Sequence, residues 1–126
     1  MPRKRGLSGG VFFVTILMVV SLIGGFSYAS SKVEEGRKIA TTRKLGNCVS
    51  CHFLPNIESP GNAGPNLVES MKNYTEADRD IVRQWIEDPR QFNPDTLMPP
   101  FGANKILTKE QIDAVVEYLY SLKGVK

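Results

Sequence analysis

The chain has 126 residues, 41% of them hydrophobic and 23% charged, which suits one small domain. Its formal charge of +3 comes from Arg3, Lys4 and Arg5; beyond residue 29 the charges balance. Nothing in that balance points to a nucleic-acid partner, and neither an internal repeat nor a strand pattern of any length is present.

The basic residues 3–5 precede an apolar run from Val11 to Ile23, and Ser27-Tyr28-Ala29 places small residues at −3 and −1 of a cleavage site. This pattern predicts a signal peptide over residues 1–29 and a domain over 30–126, located in the periplasm. The alternative is a retained membrane anchor. A spanning helix needs about 20 apolar residues, and Gly24-Gly25 interrupts this run.

The spacing of Val33, Gly36, Ile39 and Ala40 predicts a helix over 31–45. Gly36 costs helix stability relative to Ala. Either it lets this helix cross closely over the last one, making room for Tyr118 or Leu119, or it is simply exposed and tolerated.

Next comes Cys48-Val49-Ser50-Cys51-His52, which contains the only histidine in the chain. Cys-x-x-Cys-His is the attachment signature of a covalent c-type haem. Positions i, i+3 and i+4 share a face on a helical turn, so both thiols and the imidazole can meet one edge and face of a flat ring. A zinc site needs about four ligands and lacks one here. A redox pair of the thioredoxin kind needs a βαβ context, and a disulfide at this spacing closes a very short loop. The residues therefore predict one haem c, with Cys48 and Cys51 as covalent anchors and His52 as an axial iron ligand.

Pro55–Pro65 reads as a loop, because Pro60-Gly61-Asn62-Ala63-Gly64-Pro65 excludes regular structure. Within it, the Pro65 carbonyl is a candidate partner for the second N–H of the ligating imidazole; the alternative is a plain turn. A middle helix is predicted to start at the N-cap Thr75, with Glu76 and Asp78 in its first turn. Ile81, Val82, Trp85 and Ile86 form its predicted buried face, and Pro89 stops it. Trp85 is a candidate for reaching a haem propionate with its indole N–H, or else a core tryptophan.

The second axial ligand cannot be histidine. Met98 lies in Asn93-Pro94-Asp95-Thr96-Leu97-Met98-Pro99-Pro100-Phe101-Gly102, where three prolines stiffen the loop. That makes Met98 the leading candidate for the iron, with Met71, a lysine or water as alternatives. Phe101 and Pro99 either cover the methionine side of the haem or simply pack. A His/Met pair leaves no open position, which favours electron transfer over chemistry at the iron.

The last helix is the clearest. Thr108 and Gln111 form a capping box; Ile112, Val115, Val116, Leu119 and Leu122 make a continuous stripe; and Gly124 ends it. The predicted fold class is all-α with long loops, wrapped around one haem. A domain this small is marginal on its own apolar burial, so a buried haem would supply much of its core.

Four stretches in this order carry a resemblance. They are Gly46-Asn47-Cys48-Val49-Ser50-Cys51-His52, Ala63-Gly64-Pro65-Asn66-Leu67, Met98-Pro99-Pro100-Phe101-Gly102, and Ile106-Leu107-Thr108-Lys109-Glu110-Gln111-Ile112 running on to Tyr118-Leu119-Tyr120-Ser121-Leu122. The chain resembles the class I cytochromes c and, within them, SoxX, the monohaem subunit of the SoxAX cytochrome of sulfur oxidation.

The resemblance implies pairing with a SoxA-like c-type cytochrome in an L-cysteine S-thiosulfotransferase complex. That complex oxidatively joins thiosulfate to a carrier-protein cysteine and releases two electrons. This chain would then relay electrons to a further cytochrome c, with His52 and Met98 as axial ligands, Cys48 and Cys51 as anchors, and no catalytic residue of its own. Two alternatives are a free-standing periplasmic cytochrome c serving a terminal oxidase, and an enzyme or sensor acting at an open haem.

Overall fold

The computed structural model describes residues 27–125. Up to residue 26, the leader expected at the N-terminus lies outside the described residues. Among the described residues there are helices and turns and no strand. Helix α1 covers residues 27–41, α2 is Leu67–Met71, α3 is Arg79–Glu87 and α4 is Lys109–Ser121.

Helix α1 stops four residues before the predicted end. Thr41 and Thr42 turn their hydroxyls onto the carbonyls of Arg37 and Lys38, a local bond that competes with helix continuation. The Gly46 N–H then returns to the Ile39 carbonyl at 3.1 Å, closing the C-terminus in a turn that leads into Cys48.

Helix α4 is the central element. Its capping box is formed in both directions: Gln111 N donates to Thr108 Oγ1 at 3.3 Å and Thr108 N to Gln111 Oε1 at 2.9 Å. Ile112, Val115, Val116, Leu119 and Leu122 are all buried, and so are Ala114, Tyr118 and Tyr120. Burial on several sides arises because α1 crosses one face while α2 and α3 pack on others. At the α1 crossing, a Cβ on Gly36 would stand 1.9 Å from the Ala114 carbonyl oxygen and 2.8 Å from Tyr118 Cβ. Glycine is therefore the residue that permits this contact.

Helix α3 is entered through a 3₁₀ turn, Glu76–Asp78. Asp78 Oδ2 accepts from both Thr75 N and Thr75 Oγ1 at 2.7 Å. Of the four residues predicted on its buried face, Val82 and Ile86 are buried, Trp85 is half-buried, and Ile81 is 42% exposed. The apolar arc of these four residues is wider than the part that reaches the core, which is the edge formed by Val82 and Ile86. Arg79 and Arg83 bridge to Glu117 and Asp113 and tie α3 to α4 along the polar border. Helix α3 ends at Glu87, and Pro89 opens a second 3₁₀ turn.

Candidate functional site

The Cys-x-x-Cys-His segment begins from a left-handed residue, Asn47, at φ 49°. The Asn47 carbonyl accepts from Ser50 N at 3.0 Å and Ser50 Oγ at 2.9 Å. Cys48–Ser50 forms a 3₁₀ turn, and His52 N donates to the Cys48 carbonyl at 2.9 Å, which sets Cys51 and His52 one turn beyond Cys48. Leu54, fully buried, anchors the segment in the core. Neither cysteine is in a disulfide; Cys48 is half-buried and Cys51 exposed. Burial pushes the Cys48 thiol up to about 11.

His52 is held from behind by the loop that follows. Its Nδ1 lies 2.7 Å from the Pro65 carbonyl oxygen. A carbonyl only accepts, so Nδ1 carries the proton and Nε2 keeps its lone pair. Gly64 lies flat against the ring: a Cβ there would stand 2.4 Å from Cε1 and 2.7 Å from Nδ1. The loop is tied to the motif along its length, by Gly61 N to the Val49 carbonyl at 2.7 Å, Gly64 N to Cys51 at 2.7 Å and Leu67 N to Phe53 at 3.2 Å. Asn66 then caps α2, its Oδ1 accepting from Val68 N and Glu69 N. Residue types offer the Pro65 carbonyl as a candidate for this bond, with a plain turn as the alternative; the packing of Gly61 and Gly64 against the motif is what they do not show.

Met98 is half-buried against the core cluster, at the end of a loop braced by its own side chains. Asn93 Oδ1 accepts from Asp95 N at 3.1 Å, and Thr96 Oγ1 accepts from Met98 N at 3.1 Å. Downstream, Phe101 N donates to the Ile86 carbonyl, and Gly102 N and Ala103 N to that of Glu87, so the loop is pinned to the end of α3. Phe101 is itself a core residue. Met71 is 2% exposed inside the core. Trp85 stacks on Phe92 with ring centroids 4.6 Å apart at 16°.

These residues fit a covalently held haem. Two unpaired thiols and an imidazole with a free Nε2 stand on one turn, and the apolar side chains next to the candidate ligands, Phe53 and Leu97, are exposed rather than packed. Among the described residues no group of three or more His, Cys, Asp or Glu is placed to hold a metal ion on its own.

The cytochrome c family model matches residues 33–123, and the chain belongs to the cytochrome c family. Membership implies a covalent haem c, and Cys48 and Cys51 have the required spacing. A chain in the crystal structure of SoxXA from P. pantotrophus is similar at 33% identity and a TM-score of 0.60, over 71% of this chain and 80% of that one. Fold and similarity together support a SoxX-type class I cytochrome c. Cytochrome c oxidase subunit 2 of Bacillus sp. (strain PS3) is 31% identical over 85 residues, 61% of this chain, and that of Bacillus subtilis (strain 168) is 30% identical over 89, or 64%. These matches span 23% and 24% of those two relatives.

Proposed function

We propose that this chain is the electron-relay subunit of a periplasmic thiosulfate-oxidising complex, carrying one haem c beside a SoxA-like cytochrome. The observation that carries the reading is the His52–Pro65 hydrogen bond: it occupies Nδ1 and leaves Nε2 as the nitrogen that would ligate iron. Cys48 and Cys51 would anchor the macrocycle, and His52 and Met98 would take the axial positions. The group supplies a one-electron couple when bound, and a thioether opposite histidine raises its potential.

The chain's own residues do the positioning. Pro65 accepts the proton-bearing Nδ1 and raises the basicity of the ligating nitrogen. The pinned Asn93–Gly102 loop holds the thioether at a fixed height. With His52 and Met98 both holding the group, no position would remain for substrate, so the sulfur chemistry would belong to the partner and this subunit would pass electrons to a further cytochrome c. The likeness to a SoxXA chain supports this partner.

A second reading, a free-standing carrier delivering electrons to a terminal oxidase, is favoured by the likeness to oxidase subunit 2. Affinity purification from a thiosulfate-grown cell separates the two. The relay predicts stable recovery with a larger c-type cytochrome and thiosulfate-dependent reduction of this haem. Recovery as a monomer that reduces an oxidase directly, with no response to thiosulfate, supports the carrier instead.

A further inference from the structure

The two glycines of the loop behind His52 are packed in different ways. Gly64 rests on the imidazole, while Gly61 rests on the peptide between the two cysteines. A Cβ on Gly61 would stand 2.0 Å from the Ser50 carbonyl oxygen, 2.4 Å from its carbon and 2.7 Å from Cys51 N. Ordinary non-bonded contacts lie near 3.5–4.0 Å, and every atom met here is backbone, so nothing can swing aside. Gly61 N also donates to the Val49 carbonyl at 2.7 Å. The geometry points to Gly61 as a positioning residue: it seats the loop on the Cys-x-x-Cys peptide and so sets the length of the His52 Nδ1–Pro65 hydrogen bond four residues further on.

This role of Gly61 depends on the proposed haem c. Three bonds, from Gly61, Gly64 and Leu67, register the loop against residues 49, 51 and 53. A methyl at 61 breaks the first and lifts the loop from its leading end. The lift carries Gly64 off the ring and draws the Pro65 carbonyl away from Nδ1. A weaker bond at Nδ1 lowers the basicity of Nε2, which disfavours the ferric state, so the reduction potential rises. A purely structural glycine would lower stability and leave the potential where it was.

Two other glycines supply the controls. Gly124 has nothing within 4 Å of a built Cβ, and Gly36 abuts α4 rather than the motif. In the full-length holocytochrome, Gly61→Ala is expected to give a more positive midpoint potential than wild type. By proton NMR of the reduced protein, the His52 Nδ1–H should exchange at least tenfold faster. Gly124→Ala should change neither, and Gly36→Ala should lower the melting temperature without moving the potential. Equal potentials and equal Nδ1–H exchange in Gly61→Ala and Gly124→Ala overturn the proposal.

Should Gly61→Ala yield no holoprotein, wild-type hydrogen exchange decides. The Gly61 amide, the Gly64 amide and the His52 Nδ1–H should share one degree of protection. A Gly61 amide that exchanges as fast as that of exposed Asn62 refutes the assignment. A wild-type protein without covalent haem is a separate outcome, which removes the haem reading itself.

Discussion

At the scale of single residues, the two methionines of the described chain differ in burial. Met71 is sealed in the core at 2% exposure, whereas Met98 sits half-buried on a braced loop. Met98→Ala should abolish the weak ferric-iron–thioether charge-transfer band at the red edge of the visible spectrum and cost little in packing. Met71→Ala should cost about 2–5 kcal/mol of stability, as core truncations do, and leave that band intact. Chemical denaturation and a ferric absorption spectrum of each variant check the pair; a band that survives in Met98→Ala assigns the ligand elsewhere. The lone histidine and the proline-flanked methionine were selected as candidates by residue type alone, because haem ligation needs particular donor atoms. The packing of Gly61 and Gly64 was not, since a glycine's neighbours come from another part of the backbone.

At the scale of elements, caps were readable and burial arcs were not. Thr108 with Gln111 depends on a three-residue spacing within one turn, and the pair forms; Thr75, read as the N-cap of the middle helix, instead precedes a 3₁₀ turn, with Asp78 accepting from it. Thr108→Ala should cost about 1 kcal/mol, measured as a lower denaturant midpoint at unchanged slope.

The Thr75 hydrogen bonds hold the Asp78 carboxyl below its ordinary 3.8. A carboxyl depressed in the folded state adds stability above its unfolded value, and that contribution disappears as pH falls through the folded value. Asp78→Asn should therefore narrow the gap to wild type on acidification below about pH 4 and widen it toward neutrality, read as melting temperature against pH. Trp85 and Ile81 escaped the same reasoning, because periodicity identifies an apolar arc but not how much of it the facing helix can cover. Gly36 left two readings open, and the 1.9 Å approach to Ala114 decides for the close crossing. Gly36→Ala should cost at least the ~1–3 kcal/mol typical of overpacking, seen by thermal denaturation.

At the scale of the whole molecule, exposed Phe53, Phe92, Leu97 and Ile106 present apolar surface that the described residues do not bury. A prosthetic group bound only by the folded state stabilises it by linkage. Replacing both Cys48 and Cys51 by Ala should leave a haem-free chain with a broad, weakly cooperative thermal transition, where the holoprotein melts sharply; calorimetry distinguishes the two. Family membership and an all-α class I cytochrome c-like fold follow from motif order and helix pattern together.

By itself the sequence determined the chemistry on offer: two thiols and one imidazole at helical spacing, one stiffened thioether, and an all-helical frame with defined caps. Those features are local, set by donor atoms, backbone restrictions and three- or four-residue periods. Only the tertiary structure decided which nitrogen of His52 carries its proton, which glycines admit a neighbouring backbone, and which methionine is sealed away. Each of these depends on atoms far apart in the chain, brought together by the packing of α1 on α4 and by the loop that lies along the Cys-x-x-Cys-His segment.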